Sequence, residues 1–302
     1  MSVRVLDHAA LEAILPHRGV NLFLDRVEIA PDGQSARSFT RIAPGETRGR
    51  ELLARMGGAG ACWYEPFIGE ALALTGIPLI HDRLAAAGQT AVFSMVSRTT
   101  VPESAPLFDE LTCEARISRD RGGFTVYATR ATIDGRLVLE SEVMSGAAIL
   151  ADIGRLAVRP LADHQGTPID RSLFTWKDPR LVFIDRLLHS DPAQRRARFA
   201  STYPADHPFV PGHFPGMPVM MGMCQWTAVA DAAWAMRALF GLRGPITVNG
   251  TISRSDGTQI LDVRELTLIE EGPGCRIAGT KRLAFREPVR PGDGLIIDIA
   301  AA

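Results

Sequence analysis

The sequence predicts an α+β fold built as two similar halves, each an antiparallel sheet around one long buried helix. Three observations predict it. Residues 22–27 read LFLDRV and residues 182–187 read VFIDRL, so an apolar segment ending in Asp-Arg recurs after 160 residues. Each copy is followed by a Gly-rich stretch and then an apolar run, at 59–75 and 219–240. Residues 123–146 alternate on both sides of Asp134-Gly135, the clearest hairpin signal in the chain.

The two apolar runs carry few polar residues on any side, which marks core helices rather than surface ones. Strand-like segments surround the first at 35–42, 91–101, 111–118, 123–132 and 136–146. The stretch 152–171, with Pro160, Gly166 and Pro168, reads as a linker between a first domain, 1–151, and a second, 172–302. The repeat is irregular. Asp256-Gly257 lies 122 residues after Asp134-Gly135, too early for an offset of 160. FREPVRPGDGL at 285–295 comes too late, if its counterpart is SRTTV at 97–101. Either the second half has rearranged its strands, the preferred reading, or it carries an insertion and has lost its final strands.

Composition excludes several classes. With 302 residues there is room for two domains of about 150 residues each. Hydrophobic residues at 46% and charged residues at 22% are globular values, unlike those of disordered or collagenous chains. A net charge of -1 argues against nucleic acid as a main partner. Cys62, Cys113, Cys224 and Cys275 form no CxxC pair, so neither a zinc site nor a disulfide framework is expected. No apolar run is long enough for a membrane span, and the N-terminal stretch lacks a signal-peptide layout. A cytoplasmic location is the expectation.

Residues 211–218 read PGHFPGMP, which places His213 between two Gly-Pro turn elements ahead of the second buried run. Gly and Pro constrain the backbone that carries the imidazole. A His satisfied by backbone in a tight turn is the ordinary structural reading of such a residue. The segment, however, resembles the 3-hydroxyacyl-acyl-carrier-protein dehydratases of the hot-dog fold, the FabA/FabZ type. The resemblance rests on GHFPG followed by PVM and a Gly opening a helix, on ILPHRGVNLFLDRV at 14–27, on ATIDGRLVLESEVM at 131–144 and on FREPVRPGDGL at 285–295. It touches both halves, and it implies a double hot dog: two antiparallel sheets, each wrapped around a long central helix, joined edge to edge into one continuous sheet.

The resemblance implies a catalytic carboxylate fourteen residues after the catalytic His and five after the helix-opening Gly. In the second half that position is Thr227, so this copy keeps His213 and lacks the acid. In the first half, Gly60 plus five is Glu65, while Glu51 and Arg50 stand where a His would be. Family sites take the His from one hot dog and the acid from the other, so His213 and Glu65 would form one composite site. The other, with Glu51 or Arg50 opposite Thr227, would be dead. Glu70, in EALALTG, is the competing acid, because that run also resembles the family's sequence after its acid. Asp231 reads as a polar end of the second helix or as a displaced acid. His17 in LPHRG reads as structural. Met217, Met220, Met221 and Met223, with Trp63, Tyr64, Trp226 and Trp234, read as core or as the lining of an acyl site.

The implied activity is dehydration of a 3-hydroxyacyl thioester to the trans-2-enoyl thioester. His213 would be the base and Glu65 the acid, its pKa raised by burial. Helix-start N–H groups near Gly222 or Gly60 would face the thioester oxygen. No metal or organic cofactor is implied. The implied partner is an acyl carrier protein bearing a phosphopantetheine-linked chain, met by Arg195, Arg196 and Arg198 or by Arg48 and Arg50. The pseudo-dimer could join a further oligomer or a synthase. A hot-dog thioesterase and a non-catalytic partner subunit are the alternatives.

Overall fold

The computed structural model describes residues 2–161 and 166–302. The first half begins with β1 (Arg4–Leu6), α1 (His8–Ile14), β2 (Arg26–Ile29) and β3 (Ser35–Thr40). A small hairpin, β4 (Ala54–Gly57) and β5 (Gly60–Trp63), leads into α2 (Glu65–Gly76) and α3 (His81–Ala86). Four long strands follow, β6 (Thr90–Thr100), β7 (Leu111–Arg121), β8 (Phe124–Ile133) and β9 (Arg136–Ala148), and then α4 (Leu150–Gly154). The second half runs β10 (Thr167–Pro168), β11 (Arg186–Asp191), β12 (Arg196–Thr202) and α5 (Gly222–Leu239). It closes with β13 (Ile246–Ser253), β14 (Gln259–Glu271), β15 (Gly274–Phe285) and β16 (Gly294–Ala301).

Fourteen of these strands form one sheet, in the order β1-β2-β3-β7-β8-β9-β6-β15-β14-β13-β16-β12-β11-β10. The two half-sheets are joined edge to edge, as the resemblance leads one to expect. β6 and β15 pair antiparallel, from Gly279 opposite Thr100 to Ala284 opposite Met95, and make the sheet continuous. Each of these strands would otherwise present an edge of unpaired N–H and C=O groups, and the pairing satisfies both edges. α2 packs on strands of the first half, α5 on strands of the second, and the two helices touch each other.

The strand order explains the irregular repeat. The Asp134-Gly135 hairpin joins β8 to β9, and the Asp256-Gly257 turn joins β13 to β14, in corresponding places of the two half-sheets. Asp134 and Gly135 have φ of 49° and 78°, the left-handed pair that a two-residue hairpin requires. The strand beside β3 is β7, early in its half, whereas the strand beside β12 is β16, the last in the chain. The counterpart of PGDGL is therefore FDEL at the start of β7, not SRTTV: Leu111 pairs with Thr40 as Leu295 pairs with Ser201. The second half has its strands rearranged.

The Asp-Arg repeat has a local cause. Asp25 and Asp185 each donate their backbone N–H to the following strand, to Phe39 O and Ala200 O. Their carboxylates accept the N–H of Arg41 and Thr202. Each aspartate thus ties the start of one strand to the end of the next, at the end of the pair away from the connecting turn. Of the expected linker 152–171, residues 162–165 lie outside the described residues. The rest is not free: Arg159 N–H bonds Asp293, Gly294 N–H bonds Arg159 O, and β10 joins the sheet edge. No helix among the described residues is long and apolar enough to cross a membrane.

Candidate active site

An apolar cavity of about 280 Å³ lies between the halves. Ile77, Val92 and Phe93 line it from the first half, and Met220 and Phe285 from the second. Into it point His17 and Glu70 of the first half, with His213 and Gln225 of the second. Each of His17, Glu70 and His213 presents one nitrogen or oxygen atom, and these three atoms lie within 4.8 Å of one another.

His213 is held by a closed loop. Val219 N–H donates to His213 O at 2.7 Å, and the His213 Nδ1 faces Val219 O at 2.9 Å. A carbonyl only accepts, so Nδ1 carries the proton and Nε2 keeps its lone pair. Phe214 stacks on the imidazole at 4.2 Å. Burial lowers the His213 pKa to about 4, which leaves the ring neutral near pH 7. The loop is also stapled to the first half. Arg18 N–H donates to Gly212 O, and a Cβ on Gly212 would lie 2.1 Å from Arg18 O, so only glycine fits.

Glu70 sits in the second turn of α2, five residues after its first residue, and is 2% exposed. Burial pushes its pKa up to about 8. No lysine or arginine pairs with it among the described residues, and its Oε2 has no partner. A carboxylic acid there keeps its proton at neutral pH and faces the cavity.

The structure does not bring Glu65 to His213, and this corrects the expected pair. Glu65 opens α2 and accepts from Arg55 Nε at 2.7 Å and from Ile277 N–H at 3.2 Å. Arg55 in turn reaches Ser104 and Glu271, making a buried network between the halves. Gly60 is also misplaced by the sequence reading. It begins β5, a hairpin strand, not the helix. The helix starts at Glu65, with Pro66 in its first turn. Counted from this start, the residue five further on is Glu70, just as Thr227 is five after Gly222 at the start of α5.

Gly222 does line the cavity at the start of α5, where first-turn N–H groups lack helical acceptors. A Cβ there would meet the Phe285 ring at 2.9 Å, so the absence of a side chain keeps the helix end close to the cavity wall. His17, expected to be structural, lines the cavity with its Nε2 3.8 Å from Glu70 Oε1. Gln225 was not anticipated; its buried Oε1 has no partner.

The remaining candidates lie elsewhere. Arg50 is enclosed by Glu46, Asp25, Phe23 O and Arg41 O, and Glu51 accepts from Gly45 N–H. Neither is arranged as a half-site opposite Thr227, whose hydroxyl bonds Met223 O. Asp231 is a buried ion-pair partner of Lys177 and also accepts from Phe183 N–H. Arg198 pairs with Asp298, and Arg48 with Asp25. None of the expected arginines lines the cavity; Arg286 does.

No family model matches the chain. Among curated proteins, 3-hydroxyacyl-acyl-carrier-protein dehydratase FabZ of Thermus thermophilus is 30% identical over 117 residues, 39% of this chain and 63% of that protein. FabZ of Listeria monocytogenes serotype 4b is 29% identical over 141 residues, 46% of this chain and 94% of that protein. The chain thus spans less than two thirds of the Thermus relative's length and nearly all of the Listeria one's. Similar solved structures include the dehydratase heterocomplex ApeI:P from Xenorhabdus doucetiae, 10% identical with a TM-score of 0.36 over 46% of this chain and 90% of that one. Another is a hypothetical thioesterase with coenzyme A from Streptococcus pneumoniae TIGR4, 13% identical with a TM-score of 0.30 over 38% of this chain and 80% of that one.

Proposed function

We propose that this chain, a FabZ-like hot-dog protein by its curated relatives, removes water from a 3-hydroxyacyl thioester to give the trans-2-enoyl thioester. It would do so as a double hot dog, with residues 1–151 and 172–302 as the two units. The observation that carries this reading is the convergence of His213 and Glu70, from opposite halves, on one apolar cavity.

In this reading His213 Nε2 takes the proton from C2. The electron pair of that C–H bond becomes the C2=C3 double bond as the C3–O bond breaks. Glu70, as a neutral acid, gives its proton to the departing hydroxyl, which leaves as water. Charge on the thioester oxygen is met by first-turn N–H groups of α5 at Gly222. The proton on His213 then returns to the Glu70 carboxylate and the site is reset. None of these steps calls on a metal or an organic cofactor.

The substrate would arrive on the phosphopantetheine arm of an acyl carrier protein, in the cytoplasm. Arg286 at the cavity lining is the cation placed to meet the acidic carrier or its phosphate. The test is incubation of a 3-hydroxyacyl carrier protein with the pure protein, followed by intact mass. Loss of one water is the expected outcome. Loss of the acyl group would replace the reading with a thioesterase, and an unchanged mass with a non-catalytic subunit.

A further inference from the structure

We propose that His17 is a positioning residue for Glu70, a neutral donor that steadies the carboxylate as Glu70 gives up its proton, where a cation would lock the acid ionised and close the site. The inference rests on the dehydratase reading above and deepens it.

The first observation is placement. His17 Nε2 stands 3.8 Å from Glu70 Oε1, and both side chains are buried. That separation is too long for a hydrogen bond and must shorten to about 3 Å to become one. His17 Nδ1 and Glu70 Oε2 have no other partner. The His17 segment is fixed to the opposite half by Arg18 N–H on Gly212 O at 3.0 Å and Asn21 Nδ2 on Phe209 O at 3.0 Å. The imidazole meets the Phe214 ring edge-on at 5.0 Å.

The second observation is independent of the cavity. Lys177 stands 160 residues after His17, the offset of the Asp-Arg repeat. Its ammonium donates to Asp231 of α5 and to Leu181 O. The position just ahead of the apolar Asp-Arg segment thus aims a donor at an acid on its own half's helix, in both halves. Asp231 lies one turn further along its helix than the counterpart of Glu70, within reach of the longer lysine. The second half ends with a closed ion pair and no acid left to give a proton. In the first half the donor is an imidazole that burial and the nearby His213 and Arg18 keep uncharged.

The groups facing Glu70 are His17, His213 and the Cys224 thiol, whose pKa burial raises well above its usual value. None of them is a fixed cation. When the Glu70 proton passes to the departing hydroxyl, Oε1 accepts a hydrogen bond from His17 Nε2–H. His17 neither gains nor loses a proton in the step.

The experiment measures protonation and turnover in His17→Lys, His17→Gln and His17→Leu, with melting curves for each. The wild type should show at pH 7 the infrared C=O stretch of a buried protonated carboxyl that Glu70→Gln removes. His17→Lys should lose that stretch, melt no lower than the wild type, and lose kcat by at least about 10²-fold. His17→Gln keeps a neutral donor, so it should keep the stretch and stay within about 10-fold in kcat. His17→Leu should keep the stretch, with kcat below that of His17→Gln and KM unchanged. A Lys variant that retains the stretch overturns the proposal. So does a Gln variant that falls as far as the Leu variant, a comparison that holds even if the Lys variant does not fold. A wild type that removes no water defeats the dehydratase reading, and the infrared result then decides the His17–Glu70 pairing by itself.

Discussion

Arg55 holds Glu65 at 2.7 Å, and this bond decides which glutamate of α2 is free for chemistry. Both side chains are buried, so the pair is closed to solvent as well as to substrate. Glu70, one turn on, has no such partner. Glu65→Gln should leave a buried guanidinium short of one anion and destabilise the fold by about 3–5 kcal/mol. Activity per folded molecule should change little. Glu70→Gln and His213→Ala should each cut dehydration by at least about 10²-fold with the melting behaviour of a folded protein. A large kinetic loss at Glu65 with a mild one at Glu70 would return the role to Glu65.

The pH–rate profile follows from the two buried groups. Burial lowers His213 to about 4 and raises Glu70 to about 8. The base works when neutral, above its pKa, and the acid works when protonated, below its own. A plot of kcat/KM should therefore rise to a plateau from about pH 4 and fall beyond about pH 8. The two apparent values belong to the pair, since the groups interact. Rates measured from pH 3 to 10 check this. A high-pH limb that persists unchanged in the residual activity of Glu70→Gln would remove Glu70 as its source.

Much of this was legible in the sequence, and the failures have physical causes. The Asp134-Gly135 hairpin and the His213 loop are local devices whose chemistry lies within a few residues, and the Asp25 and Asp185 ties span one strand pair each. The two helices were legible from their apolar runs. Gly60 was misread as the helix-opening glycine because Gly57, Gly58 and Gly60 serve a hairpin, and spacing from a glycine cannot tell a hairpin glycine from a helix-opening one. Nothing near Glu65 in sequence announces that Arg55 and Ile277 will enclose it. His17 looked structural because its neighbours at the site, Glu70 and His213, are distant in the chain. The edge-to-edge sheet was expected, but which strands would meet was hidden for the same reason, since β6 and β15 are partners only in space.

The Lys177–Asp231 pair makes a different prediction, about stability alone. Both side chains are fully buried. Lys177→Met or Asp231→Leu should each leave an unpaired buried charge and cost about 3–5 kcal/mol. The double variant should recover most of that loss, because it removes both desolvated charges together. Denaturant melts of the four proteins give the coupling energy. Additive losses would mean that the pair is not the unit.

The unpaired state of Glu70 should also be visible in stability, without any substrate. Its pKa is about 8 in the folded protein against 4.5 for the ordinary carboxyl. Between those values the folded chain holds a proton that the unfolded chain has released. Stability therefore falls as pH rises through this window, and the loss is complete above about pH 8. Glu70→Gln removes the titration. The variant and the wild type should have similar stability near pH 4, and the variant should gain progressively, by on the order of 4 kcal/mol at pH 9. His213 acts in the opposite direction: its lowered pKa costs stability as pH falls below its ordinary value of 6.5. Both proteins carry His213, so its effect largely cancels in the difference. Melting temperatures of the two proteins from pH 4 to 9 provide the check. A difference that stays constant across the range would mean that Glu70 is already ionised in the fold, and it could not then be the acid.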